Sequence, residues 1–440
     1  MVIPRKVQGK YRDIKRRIGI VLLAIIIVVP FVRIAGKPVI LLDIPARKFH
    51  ILGLTIWPQE LYFLHVLLLM GGVMLFFFTA LLGRIWCGYA CPQTIFTELY
   101  DRVARLFGGS KYDKQSMNKW GWVRVYAAWS VLSLLLSVVY ISYFMPWREV
   151  LAGLLTMNVF VHPDSWQPAA WFVSFMGLTI FSFGNAAYFR ENVCKYVCPY
   201  GRFQTALLDN HSPIVAYNKK RGEPRREKGQ KVQDAGGDCI DCHLCVLVCP
   251  TGIDIRDGLQ VGCLHCGLCD DACTQVMAKF KKETLIDYRT VEQVDNPRAP
   301  QRYFRPRTAI YGTILAMLAI AFTYLVWNRV PLYADVLRDR AVYNIHIPGV
   351  GYQNGYELHV ANLSEKKMRF TFDAKGGGFE IIRPRVNHEI GPGGFEKIRF
   401  IVRYRAAEKP PGNLPLRINV RDADQPEHSR RLESVFSFPR

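Results

Sequence analysis

Eight cysteines fall into two runs of identical spacing: Cys239, Cys242, Cys245 and Cys249, then Cys263, Cys266, Cys269 and Cys273. A [4Fe-4S] cube needs four thiolates, and three can come from one tight loop with two residues between successive cysteines. In two-cluster ferredoxins the last cysteine of each run binds the other cluster. By that logic one cube takes Cys239, Cys242, Cys245 and Cys273, and the other takes Cys263, Cys266, Cys269 and Cys249. Pro250 follows Cys249 as in ferredoxin runs, whereas Thr274 follows Cys273. Zinc sites usually show two separated pairs rather than eight cysteines at doubled spacing, so electron transfer is the expected chemistry. A module this small has little core of its own, and its clusters would supply much of its folding energy.

The other four cysteines form a shorter repeat, Cys87-Gly-Tyr-Ala-Cys91-Pro and Cys194-Lys-Tyr-Val-Cys198-Pro. Both copies read Cys-x-Tyr-x-Cys-Pro-x3-Phe, with Tyr89 and Tyr196 between the cysteines and Phe96 and Phe203 after the proline. On a helix, Cys-x3-Cys puts both sulfurs on one face. One such pair can be small buried hydrophobes, but duplicated motifs after long apolar stretches mark a shared site at the repeat interface. Four converging thiolates would suit Cu(I), zinc or an additional cluster. A reversible dithiol relay is the alternative, with Arg84 and Lys195 supplying positive charge. Cys87, Cys91, Cys194 and Cys198 are therefore the candidate catalytic and further metal-binding residues.

Half the residues are hydrophobic although the formal net charge is +21, which requires charge and apolarity to be segregated along the chain. Apolar runs near the roughly 20 residues that cross a bilayer occur at Ile18 to Ile34, Leu61 to Leu82, Val125 to Phe144, Ala169 to Tyr188 and Thr308 to Trp327. The first follows Arg5, Lys6, Lys10, Arg12, Lys15, Arg16 and Arg17 without a small-residue cleavage site, so it reads as an uncleaved anchor with a cytoplasmic N-terminus. Five crossings would place both cysteine systems inside and the chain after about Arg329 outside. Basic residues in the segments between spans, Arg226 and Lys228 among them, are explained by topology and anionic headgroups. No module that reads or stacks on nucleic acid accompanies the charge. The exported tail carries no cysteine, as expected for an oxidising compartment.

The division expected is a membrane domain over 1–210 with four spans and both short motifs, a polar connector at 211–237 containing Gly229, and a two-cluster ferredoxin-like domain at 238–295. A second connector with the fifth span follows at 296–329, and a periplasmic domain at 330–440. In the last, period-two alternation at Met368, Phe370, Phe372, at Ile398, Phe400, Val402, Tyr404 and at Leu414, Leu416, Ile418, Val420, broken by turns such as Gly376 to Gly378 and Pro410 to Gly412, predicts an antiparallel β-sandwich. His243 and His265 lie in the cluster loops but read as solvated or hydrogen-bonded. His65, inside a span, is a functional candidate. Met145, Met157 and Met176, irregularly spaced, read as packing.

In this order of elements, from spans through both Cys-x3-Cys-Pro motifs and the double cluster run to the tail, the chain resembles the CcoG/RdxA/FixG family of membrane-bound accessory proteins of cbb-type cytochrome c oxidase. The membrane half is also similar to NapH-type quinol-linked electron relays. The resemblance implies an immunoglobulin-like tail, an inner-membrane location, and a role in oxidase assembly by reducing Cu(II) to Cu(I), with copper and assembly factors as partners. A protein or quinol would donate the electrons, since the chain has no nucleotide fingerprint, and a homodimer is compatible with the sequence. The alternatives are a quinol-linked relay without a copper substrate and a non-catalytic assembly scaffold.

Overall fold

The computed structural model describes residues 2–34, 36–44, 47–156, 166–225, 236–339, 345–348, 350–364, 366–375, 378–383, 388–405 and 412–438. Met157, Arg226, Lys228, Gly229, Gly376 and Pro410 lie outside the described residues. The chain forms two compact units, Met1–Ile320 and Ala321–Arg440.

Among the described residues, four helices are long and apolar enough to cross a membrane: Pro58–Leu82, Lys119–Ile141, Ala170–Leu207 and Pro306–Trp327. The first apolar run departs from expectation. Its helix α1 (Lys10–Val28) carries charge through its first half, then gives way to a 3-10 turn, Val29–Phe31, and a two-residue strand at Arg33–Ile34. Pro30 lacks an N–H and its ring obstructs further helix. The apolar part of α1, from Ile18 to Val28, is therefore roughly 16 Å long, about half of a bilayer's hydrocarbon thickness. The following segment folds into a three-stranded antiparallel sheet of Ile40–Asp43, Lys48–Ile51 and Leu54–Ile56.

Helix α2 (Leu61–Leu82) and the helix Pro306–Trp327 stack Phe76 on Tyr311 and bury few of their apolar residues fully inside protein. A helix apolar on every face and not packed into a core is suited to lipid. After a short helix α3 (Ile85–Tyr89), helix α4 (Pro92–Gly108) packs against Lys119–Ile141 around Tyr100, Ala104, Val125, Trp129 and Leu136. The Trp129 indole donates to the Tyr100 carbonyl at 2.9 Å, so this aromatic body keeps its polar atom satisfied. A buried ion pair between Asp101 of α4 and Arg190, braced by the Tyr112 hydroxyl, joins α4 to the segment leading into the second short motif.

The segment expected to be a connector at 211–237 starts with structure instead. Pro213–Tyr217 is a strand buried along its whole length and paired antiparallel with Ile286–Thr290. A short apolar run bounded by polar residues has no periodicity to distinguish it. Val215, Tyr217, Leu285 and Ile286 form a core with Cys239, Cys263 and Met277. Asp271, on the helix Leu268–Ala278, accepts from the backbone N–H groups of Tyr11 and Arg12 at 3.2 and 2.7 Å. It thereby satisfies free donors in the first turn of α1.

The second unit is an antiparallel sandwich. One sheet runs in the order Phe379–Arg383, Phe395–Tyr404, Gly351–Asn362, Leu332–Arg338, with Ile345–Ile347 also on Gly351–Asn362; the other runs His388–Ile390, Met368–Lys375, Leu414–Asp422, Ser429–Phe436. Phe370, Ile398, Phe400, Val402, Leu416, Ile418 and Val420 point into one core with Leu358, Val360 and Phe436. Gly351–Asn362 escapes a pattern search because it buries Asn354, whose amide donates to the Ser437 carbonyl at 2.8 Å. A satisfied polar group can occupy the interior at little cost.

Replacing Asp101 by leucine should cost about 3–5 kcal/mol, because Arg190 would remain as an unpaired buried charge. Adding Arg190→Met should recover most of it, as read from thermal unfolding of the detergent-solubilised protein.

Candidate functional site

The eight ferredoxin-type cysteines line two cavities. Cys239, Cys242, Cys245 and Cys273 surround one, together with Tyr217 and Arg256. Cys249, Cys263, Cys266 and Cys269 surround the other, which Cys245 also lines. Each run thus gives three cysteines to one cavity and its last to the other. Left-handed residues bend both loops: Asp241 and His243 in the first, His265 and Gly267 in the second. Such turns aim successive N–H groups toward one concave side, a geometry found at iron–sulfur sites. Burial pushes the Cys245 and Cys263 thiols up to about 12. They would carry protons at neutral pH unless a metal's charge held them as thiolates. Four sulfurs around each cavity are a donor set that fits a [4Fe-4S] cluster.

His243 is exposed and joined to Arg256 at 2.9 Å and Asp241 at 3.2 Å. Arg256 also binds Asp254 at 2.6 Å, which pins the first loop. His265 takes the hydrogen-bonded rather than the solvated form of the reading, for it is fully buried. Its Nδ1 accepts from the Arg84 backbone N–H at 3.4 Å, and its Nε2 has no protein partner. Burial, then the Arg84 charge, lowers its pKa to about 3, so the ring is neutral.

The short motifs are not single helical faces. Cys87 lies on α3, whereas Cys91 is the residue before α4, and Pro92 opens that helix. In the second copy Cys194 lies in a π-helical turn, Val193–Val197, and Cys198 precedes Pro199, which opens the helix Pro199–Leu207. Proline suits the first helical position and forces its predecessor into extended backbone; ψ is 128° at Cys91 and 109° at Cys198. Each motif therefore straddles a helix break. The breaks bring Cys87, Cys91, Cys194 and Cys198 close enough to interact electrostatically. Burial pushes the Cys87 thiol up to about 11 against the pull of Arg84. An activated dithiol needs the opposite balance.

Gln204, which sequence reasoning missed, ties the two repeats together. Its carbonyl oxygen accepts from Cys87 Sγ at 2.9 Å and its amide donates to Thr79 Oγ1 at 3.1 Å. It sits one residue beyond the repeat's last shared position, so nothing in the motif marks it. His65 instead spends its ring on the Leu61 carbonyl of its own helix at 2.8 Å, and Met145 packs with Ile141, Val150 and Phe175.

The two cysteine systems meet through backbone. A Cβ on Gly88 would lie 2.7 Å from the Leu264 carbonyl oxygen and 3.0 Å from Cys266 Cα. The Tyr89 hydroxyl donates to the Cys266 carbonyl at 3.0 Å, and the Tyr288 hydroxyl donates to the His265 carbonyl at 2.5 Å. The second repeat has no such partner: Tyr196 and Phe203 are exposed, whereas Tyr89 is buried. Gly88→Ala should push α3 off the cluster loop at a cost of about 1–3 kcal/mol, with a changed EPR line shape for the cluster nearest Cys266 at unchanged iron content.

Residues 189–291 match a family described as a 4Fe-4S dicluster domain, residues 64–110 a 4Fe-4S binding domain, and residues 322–439 the IG-like fold at the C-terminus of FixG. Across its length the chain is 34% identical to protein RdxA of Cereibacter sphaeroides, covering 97% of this chain and 94% of that one. It is 31% identical to the nitrogen fixation protein FixG of Rhizobium meliloti, over 85% of this chain and 79% of the relative. Protein RdxB of Cereibacter sphaeroides is 35% identical over 82% of this chain and 79% of its own length.

Proposed function

Starting from a chain that belongs to the CcoG/RdxA/FixG family and is an iron–sulfur redox protein of the membrane, we propose that it reduces Cu(II) to Cu(I) during assembly of a cbb-type cytochrome c oxidase. In this reading Cys239, Cys242, Cys245 and Cys273 hold one [4Fe-4S] cluster, and Cys249, Cys263, Cys266 and Cys269 hold the second. Bound clusters supply one-electron transfer. The Cu(II) substrate accepts the electron at Cys87, Cys91, Cys194 and Cys198, whose soft sulfurs favour the Cu(I) product. A quinol or a reduced protein is the electron donor.

The observation that carries this reading is the packing of α3 onto the backbone of Leu264 and Cys266, which leaves no solvent layer between a cluster loop and Cys87's helix. Gly88 permits the approach, and Tyr89 fixes its register. The description of residues 64–110 as a 4Fe-4S binding domain makes a further cluster at the short motifs the competing occupant, which would show as iron beyond that of two four-iron clusters.

Membrane sidedness belongs to the same proposal. The N-terminus and both cysteine systems lie on the cytoplasmic side of the inner membrane, and the immunoglobulin-like domain, which docks assembly factors, lies in the periplasm. This needs α1 to act as a fifth crossing, its short apolar stretch extended by basic residues that reach the headgroups along their aliphatic stems.

The protein, reduced and freed of excess reductant, should convert Cu(II) to Cu(I) in the presence of a Cu(I)-selective chelator. Exchanging the four short-motif cysteines for serine should abolish at least nine-tenths of that conversion while both cluster EPR signals persist. No Cu(I) from wild-type protein with reduced clusters overturns the proposal. Rapid cluster reduction by a quinol analogue without copper turnover points to the relay, and oxidase assembly that survives loss of the cluster cysteines points to the scaffold.

A further inference from the structure

Arg84 is only 1% exposed. The comparably buried cations each have a carboxylate: Arg190 has Asp101, Arg256 has Asp254, Arg305 has Asp209 and Lys15 has Glu98. Among the described residues Arg84 has none. Its guanidinium donates to the Val261 carbonyl at 2.5 Å and to Thr205 Oγ1 at 3.2 Å, and its Nε has no acceptor. Neutral acceptors satisfy some of the N–H groups but do not balance the charge, and an unbalanced buried charge is strongly unfavourable.

The groups near it that can become anionic are sulfurs. Arg84 lies three residues before Cys87 and acts electrostatically on it and on Cys194, both of the short-motif set, and on Cys263 of the second cluster cavity. A Cβ on Gly201 would touch its Nη2 at 3.1 Å, so the second repeat is cut back to admit the guanidinium. Four thiolates outweigh the charge of any single copper or zinc ion and of an oxidised cubane core, so either centre is net negative when loaded.

We propose that Arg84 is the internal counter-cation shared by two thiolate-ligated centres, the metal held by Cys87, Cys91, Cys194 and Cys198 and the cluster held by Cys249, Cys263, Cys266 and Cys269, and that it sets their reduction potentials. The first half of this statement rests on the reading that the short motifs hold a metal. An added electron makes either centre more negative, and a fixed positive charge between them in a low-dielectric interior favours the reduced state of both. It also makes the empty site costly, since without thiolate charge the guanidinium is left alone, and this couples metal loading to folding. Arg84 is a positioning residue: it acts through the sulfurs and not on the substrate.

The test uses the full-length protein in detergent with Arg84→Gln and Arg84→Lys, metal content measured first and the centres then titrated by EPR at fixed redox poise. Arg84→Gln should lower the reduced-to-oxidised ratio of the nearer cluster about tenfold, equivalent to ~59 mV for a one-electron couple, while Arg84→Lys, which keeps the charge, stays near wild type. Unchanged potentials in a fully loaded Arg84→Gln protein overturn the proposal. Should either variant fail to assemble, the protein with serine at all four short-motif positions decides the matter by thermal unfolding. There Arg84→Met should lower the midpoint by less than it does in the protein with all twelve cysteines, because only the cluster's thiolates remain to balance the cation; an equal fall in both backgrounds would show a tether to Val261 and Thr205 and overturn the proposal. Equal metal content in wild type and in the four-serine protein would instead sink the reading of the short motifs as a metal site, leaving the cluster titration to judge Arg84 by itself.

Discussion

Where Gly88 meets the backbone of Leu264 and Cys266, two polypeptide segments touch with no side chain between them. That contact limits everything around it. The cluster loop must turn through left-handed residues to present its carbonyls there, and hydroxyls from Tyr89 and Tyr288 must satisfy those carbonyls once water is excluded. The strand Pro213–Tyr217 and its partner Ile286–Thr290 hold the loop from behind, and α1 is fastened to the same module through Asp271. A junction of this kind is short and rigid, as transfer of an electron between two sites requires.

Charge is arranged on the same principle. A large positive excess is spread over segments beside the apolar helices, where water and headgroups solvate it. Among the described residues the few cations taken into the interior are each matched with a carboxylate, and the exception, Arg84, lies within electrostatic reach of Cys87, Cys194 and Cys263. Cysteines buried deeply enough to stay protonated as free thiols become the anions of the interior only when they bind metal. The first unit therefore completes its electrostatics by loading, whereas the second, a sandwich closed by Phe370, Phe400, Val402 and Phe436, needs hydrophobic burial alone.

Much of this was legible in the residue pattern. Doubled cysteine spacing is local geometry, and period-two alternation at residues such as Ile398 and Leu416 follows from the pleat of a strand. The failures have physical causes too. Pro30 cuts an apolar run that hydropathy reads as continuous. The run Ile214 to Ala216 is too short to show a period. The strand Gly351–Asn362 hides its pattern behind buried but satisfied asparagine, and the two cysteines of each short motif sit on either side of a helix break that an idealised helix ignores.

The sequence by itself determined the two-cluster cysteine module, the apolar helices and the β-sandwich, because ligand spacing and burial periodicity are properties of neighbouring residues. Only the tertiary structure decided that Cys87, Cys91, Cys194 and Cys198 lie within electrostatic reach of one another, that Gly88 bears on the Cys266 backbone, that His265 is sealed from solvent and that Arg84 has no carboxylate among the described residues. Those facts depend on segments more than a hundred residues apart being packed together, and no local pattern reports the distance between them.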